Sequence, residues 1–209
     1  MMITPNKNCS LCSRLKNYRY KYKKLKPNWH NSPVKSFGDI NSKVLIVGLA
    51  PGLEGANKTG RPFTGDHAGN TLYPALIKHK LAIGPYKENI NDGLSLENVR
   101  ITNSVRCVPP KNRPNYKERM NCRRFLKSEI LNMNNLEIIL ALGLIAHEEV
   151  LKVLELKISS NEFKHGKIHQ INENLVLFNS YHCSRYNINT RRLTVEMFDS
   201  IIKSISSRI

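Results

Sequence analysis

The sequence predicts an α/β fold, a three-layer α/β/α sandwich around a central, mainly parallel four-stranded sheet. Two observations predict it. Apolar runs rich in β-branched residues alternate with longer segments of helical character along the chain, and that alternation builds a parallel sheet covered by helices on both faces. The 209 residues also suffice for one well-buried core and leave little length for a second, so 1–209 is read as a single domain.

Taken in order, residues 14–36 (RLKNYRYKYKKLKPNWHNSPVKS) are basic and tyrosine-bearing, with Pro27 and Pro33 breaking any long helix. They are expected to form a surface arm. Lys43 to Leu49 (KVLIVGL) is a buried central strand that opens at Gly48, Pro51 and Gly52 into a loop over 50–66. A helix follows over about His67 to Lys80, then strands at Val99 to Val105, Leu136 to Leu142 and Leu175 to Asn179. Helices are expected at about Asn115–Met133, Leu144–Leu156 and Thr190–Ser206, and a short strand near Lys167 to Ile171 pairs antiparallel with its neighbour. Open sheets of this kind place their sites in the loops at the carboxyl ends of the strands.

Thirty-three Lys and Arg against 16 Asp and Glu leave a formal charge of +17, which favours a polyanionic partner, most commonly nucleic acid. No stretch approaches the roughly 20 apolar residues that cross a bilayer. The segment from Met1 to Cys12 is polar and lacks the apolar region of an export signal. A cytoplasmic protein with no membrane partner is therefore expected.

Five cysteines in such a chain argue against a disulfide framework. Cys9 and Cys12 form one pair and Cys107 and Cys122 another, and two distant pairs can supply four thiolates to one tetrahedral centre, with Arg106 and Arg123 nearby to offset their charge. Zinc and [4Fe–4S] are both compatible with four sulfur ligands. With every ligand position filled by protein, either would be structural and would tie the arm to the central helix.

The loop from Gly48 to Gly69 fits neither the dinucleotide nor the P-loop phosphate pattern; its glycines let the backbone bend and approach a ligand closely. Asn103, at the end of a predicted strand, offers a donor and an acceptor together, matching the edge of a pyrimidine. Ser180 to Arg185 (SYHCSR) brings His182 to the same sheet edge. Asp66 stands directly before the predicted helix at His67, where it would cap it.

Together the cysteine pairs, GLAPG at 48–52, GANKTGRPFTGD at 55–66, TNSVRCVPP at 102–110 and YHCSRYNINTRRLT at 181–194 resemble the uracil-DNA glycosylase superfamily, and within it family 5. The resemblance covers nearly the whole chain. It implies a monomeric DNA-repair enzyme that excises uracil, and also hypoxanthine, xanthine or oxidised pyrimidines, from DNA. It also implies a [4Fe–4S] cluster on Cys9, Cys12, Cys107 and Cys122. Phe63 would stack on the extruded base, Asn103 would read its edge, and the backbone around Gly48 and Ala50 would line the rim. His182 would donate a hydrogen bond to the uracil carbonyl, and Asp66 would stabilise the sugar cation and orient a water. Arg185, Arg191 and Arg192 would contact DNA phosphates, and Tyr73 is the candidate block against thymine.

Two positions depart from the wider superfamily. Leu49 stands where many relatives carry a polar residue that positions water, a loss that family 5 shares. Cys183 replaces the proline of the usual His-Pro-Ser, which puts the rigidity of that loop in question. A metal-stabilised nucleic-acid-binding protein without catalysis would keep the charge and the cysteines. It gives no reason for Phe63, Asp66, Asn103 and His182 to gather at one pocket.

Overall fold

The computed structural model describes residues 2–209. In chain order the elements are α1 (Ser13–Leu25), β1 (Val44–Gly48), α2 (Ala56–Thr59), α3 (His67–Lys78), β2 (Ala82–Ile83), β3 (Ser95–Leu96), β4 (Val99–Asn103), α4 (Tyr116–Asn132), β5 (Ile138–Leu142), α5 (Leu144–Val153), β6 (Ile168–Gln170), β7 (Val176–Ser180), α6 (Arg185–Asn189) and α7 (Val195–Ser206). The main sheet runs β4-β1-β5-β7-β6. Four strands are parallel, and β6 joins antiparallel to β7. The sheet thus has five strands where four were expected, because the short antiparallel segment pairs as a full edge member.

Side chains along each strand alternate between two cores, as the two-residue period of a strand requires. From β1, Val44 and Ile46 pack with Leu72, Leu76, Phe198 and Ile202 on one face. Leu45 and Val47 pack with Leu126, Val150 and Leu151 on the other. Helix starts are locally encoded. Asn115 and Glu118 form a reciprocal capping box at α4, and Thr194 Oγ1 accepts from Met197 N–H at α7.

The first half of the basic segment 14–36 is helix α1, which ends before Pro27 and buries Leu15 and Arg19. Val34 N–H then donates to the Arg106 carbonyl at 2.7 Å. The helix expected over Thr190–Ser206 begins only at Val195, because Arg191 adopts a left-handed φ of 55° and Leu193 is buried ahead of α7; the short α6 before it was not anticipated. A two-residue pairing of β2 with β3 was not anticipated.

Arg100 and Arg106 converge on Glu129, which is 1% exposed. Burial alone would raise the Glu129 pKa, but Arg106, the Ser36 hydroxyl and Arg100 together outweigh it and hold the carboxyl below its ordinary range. Glu129→Ala would strand two buried cations and is expected to cost about 3–5 kcal/mol. The check is a lower midpoint in urea unfolding.

Candidate active site

The parallel strands deliver their carboxyl ends to one edge, where Gly48 of β1 stands in register with Asn103 of β4. The loops beyond them enclose a cavity of about 610 Å³ lined by Leu49, Ala50, Phe63, Asp66, Asn103 and His182, among others. That size suits a small organic ligand. Ser104 pins the first loop by donating its N–H and hydroxyl to the Gly48 carbonyl, both at 2.9 Å.

Glycine is required at the junction. A Cβ on Gly48 would lie 2.5 Å from Asn103 Oδ1 and 2.6 Å from Phe63 Cζ, so only a hydrogen lets the amide and the ring close over the backbone. Asn103 is 4% exposed, and among the described residues its side-chain amide makes no hydrogen bond. The residue lines the cavity.

Phe63 sits at φ +52°, a conformation unusual for a bulky residue. It is clamped from behind. Tyr86 donates to the Phe63 carbonyl at 3.2 Å, and Tyr73 donates to the Pro62 carbonyl at 2.5 Å. Arg61 donates to Thr64 Oγ1 and makes two bonds to Asp92 at 2.8 and 2.7 Å, with its guanidinium packed on Phe37, Tyr73 and Tyr86. The Phe63 ring faces that of His182 at 5.9 Å and 28°.

His182 follows β7 directly, and burial drives its pKa down to about 4, so the ring is neutral at ordinary pH. Its loop is fastened without the proline. Cys183 is fully buried with its thiol on the Ala68 carbonyl at 3.5 Å, and Asn187 Nδ2 donates to the His182 carbonyl at 2.7 Å. The cysteine fills core volume, so packing supplies the rigidity that a proline ring would give.

Asp66 caps α3: its Oδ1 accepts from Gly69 N–H at 3.2 Å. A Cβ at Gly55 would lie 2.4 Å from Oδ2, so the second oxygen nests against bare backbone beside the cavity. Burial raises the Asp66 pKa, although the N–H groups of Gly69 and Ala68 pull the other way.

Phe63, Asp66, Asn103 and His182 are therefore brought together, with Ala50 and Arg185 on the same wall and Gly48 directly beneath. Arg191 and Arg192 are exposed nearby, but Arg192 lies over the Tyr181 ring at 4.6 Å and neither lines the cavity. Tyr73 is wholly buried behind Phe63 and cannot touch a ligand, which removes it as a block against thymine. Glu54, His67, Asn112 and Ser184 also line the cavity and were missed. Asn112 was signalled only by the proline-rich turn that follows the Asn103 strand.

Cys9, Cys12, Cys107 and Cys122 line a second, small cavity with Leu15 and Phe125. All are free thiols, and among the described residues no three metal-binding side chains are gathered around a single ion position. The donor chemistry fits a sulfur-ligated group. Arg106 N–H points to Cys122 Sγ at 3.4 Å and Asn121 Nδ2 to Cys12 Sγ at 3.5 Å, which suits thiolates. Burial pushes the bare thiols of Cys107 and Cys122 up to about 12 and 11. Of the two expected charge partners, Arg123 is corrected, since its guanidinium binds Glu149; Arg106 binds Glu129 and Ser36 yet its charge still favours the Cys122 thiolate. Arg19, buried on the carbonyls of Lys7 and Cys9, lends its charge to Cys107 instead.

A model of the uracil DNA glycosylase superfamily matches residues 35–206. The chain is 40% identical over 201 residues to the type-5 uracil-DNA glycosylase of Pyrobaculum aerophilum, covering 94% of this chain and 87% of that one. It is 40% identical to the type-5 enzyme of Thermus thermophilus, covering 93% and 90%. It is 36% identical over 204 residues to that of Mycobacterium bovis, covering 93% and 76%. Cavity, sheet edge and sequence agree, and the chain belongs to the uracil DNA glycosylase superfamily, on its type-5 branch.

Proposed function

We propose that the cavity receives a uracil turned out of DNA and that the chain, acting as a single-domain monomer on the cell's DNA in the cytoplasm, hydrolyses the N-glycosidic bond to begin base-excision repair. The observation that carries this reading is the convergence of an aromatic ring, an unpartnered amide, a neutral imidazole and a carboxylate on one cavity. Extruding a base costs a few kcal/mol, least at a mismatch such as uracil opposite guanine. Stacking on Phe63 returns roughly 1–3 kcal/mol, and Asn103 adds hydrogen bonds to the base edge.

Breaking the bond leaves positive character on the sugar and the bonding electrons on the base. His182 donates to the carbonyl beside the broken bond, where negative charge grows. Asp66 faces the sugar and orients the water whose oxygen joins the anomeric carbon. The side chains of Leu49 and Ala50, which line the cavity, carry no polar group, a wall that supports tolerance of hypoxanthine and xanthine. Arg185, at the rim, and Arg191 and Arg192 beyond it hold phosphates.

We further infer that Cys9, Cys12, Cys107 and Cys122 hold a [4Fe–4S] cluster, supported by four cysteines lining one small cavity with N–H donors to two of the sulfurs. The cluster would supply a structural link and no chemistry on the base.

Incubation with a uracil-containing oligonucleotide followed by alkali should cut the strand at uracil only; an intact strand overturns the reading. His182→Ala should slow single-turnover excision about 100-fold. Because the His182 pKa lies near 4, the wild-type rate should show no transition near pH 6.5 from this residue. A rate tracking histidine protonation there would remove the neutral-donor role.

A further inference from the structure

The first 38 residues contain nine Lys and Arg and no Asp or Glu. Arg14 pairs with Glu118 and Arg19 is buried on carbonyls. The lysines of this stretch form no ion pair among the described residues. The C-terminal half of α1 and the turn after it thus present concentrated, uncompensated charge.

At the centre of this surface is Trp29. Its indole lies parallel to the Tyr22 ring at 6.3 Å, with Lys26 Nζ at 5.9 Å and Lys58 Nζ at 6.0 Å from its centroid. Lys58 belongs to α2, and the two segments are fastened together. His30 N–H donates to the Lys58 carbonyl, Asn31 N–H to the Asn57 carbonyl, and Asn57 Nδ2 to Asn31 Oδ1. Gly55 and Ala56, just upstream of Lys58, line the cavity. The rise per helical residue puts Lys58 only about 3 Å further along the axis than Ala56, so the basic surface adjoins the segment that lines the cavity.

Two ammonium groups over one indole, neither in an ion pair among the described residues, repel each other and are relieved by an anion. We propose that this surface, Lys23, Lys24, Lys26 and Lys58 around Trp29, grips the phosphodiester backbone of the DNA strand flanking the extruded nucleotide. The proposal rests on the reading that the substrate is DNA. Adjacency to the cavity lining favours DNA over an acidic protein, which would have no reason to sit beside it.

Trp29 is the single tryptophan, so its emission reports this surface directly. Titrating the full-length, metal-loaded protein with undamaged duplex should change the emission saturably, and salt should reverse the change. A variant carrying Lys23→Ala, Lys24→Ala, Lys26→Ala and Lys58→Ala should bind duplex with a log K against log salt slope shallower by at least about 2, since each lost phosphate contact removes about 0.9. These lysines are exposed, and a thermal melt verifies the variant's fold; should it not fold, the wild-type emission decides alone. Silent emission on DNA binding, or an unchanged slope, overturns the proposal. So does a response to polyglutamate without one to DNA, which would assign the surface to an acidic protein. Excision of uracil with a silent Trp29 sinks this inference alone, whereas absence of excision by the wild-type protein sinks the glycosylase reading.

Discussion

Asp66→Asn should slow single-turnover uracil excision about 1,000-fold, roughly 4 kcal/mol of lost transition-state stabilisation, while the melting temperature holds or rises. The two halves of this result follow from the two oxygens. Oδ1 caps α3 through Gly69 N–H, and an asparagine oxygen accepts that bond equally well. Oδ2 rests against Gly55 at the cavity, where replacing the anion with an amide removes the charge that faces a developing sugar cation. Burial raises the Asp66 pKa against the pull of the Gly69 and Ala68 N–H groups, so the folded state holds this proton more tightly than the unfolded chain. Stability therefore falls as pH rises from the unfolded value through the folded one, and the ionised carboxylate is a standing cost at neutral pH. Asparagine escapes that cost. In the wild type, excision should fail as pH drops through the raised Asp66 pKa, and the residual activity of the variant should lack that acid limb. A variant of full activity would leave Asp66 with capping alone.

What could be read from the chain follows from how local each signal is. Strand β1 was legible because four apolar residues run into Gly48 and Pro51, and the ends of β4 and β7 carried Asn103 and His182 to the same edge once the sheet was parallel. The capping of α3 by Asp66 was legible because the pairing spans three residues. The clamp behind Phe63 was not, since Arg61 and Asp92 lie 31 positions apart and their meeting depends on the loop between α3 and β4. Tyr73 was misplaced for the same reason. Helical spacing put it near the site, but only the packing of Arg61 against three aromatic rings shows that it supports Phe63 from behind. Arg19 likewise has no sequence neighbour that reveals its burial beneath Cys9. The late start of the last helix turned on one left-handed residue, Arg191, in a segment otherwise suited to helix.

If the four cysteines hold the proposed cluster, Cys122→Ala should give a colourless protein whose unfolding free energy is lower by on the order of 5 kcal/mol or more, because sulfur–metal bonding that exists only in the folded chain is folding free energy. The cysteine is buried in α4 and reaches across to Cys9 and Cys12 before α1 and to Cys107 after β4. Without a bound group, burial keeps the thiols of Cys107 and Cys122 protonated, and protonated thiols offer no charge to hold a strongly basic segment in place. What remains near them is a few contacts, among them Ile3 N–H to Ser128 Oγ and Arg14 to Glu118. Limited proteolysis should therefore cut ahead of Val34, whose N–H is bonded to the Arg106 carbonyl next to the strand end. Cys183→Ala separates ligation from mere thiol loss: it lies at the other site, packed on Ala68, and should keep its colour and resist the same protease. Equal stability and protease resistance in Cys122→Ala would mean that the helix and its arm are held by packing alone, and that the four sulfurs bind nothing of structural consequence.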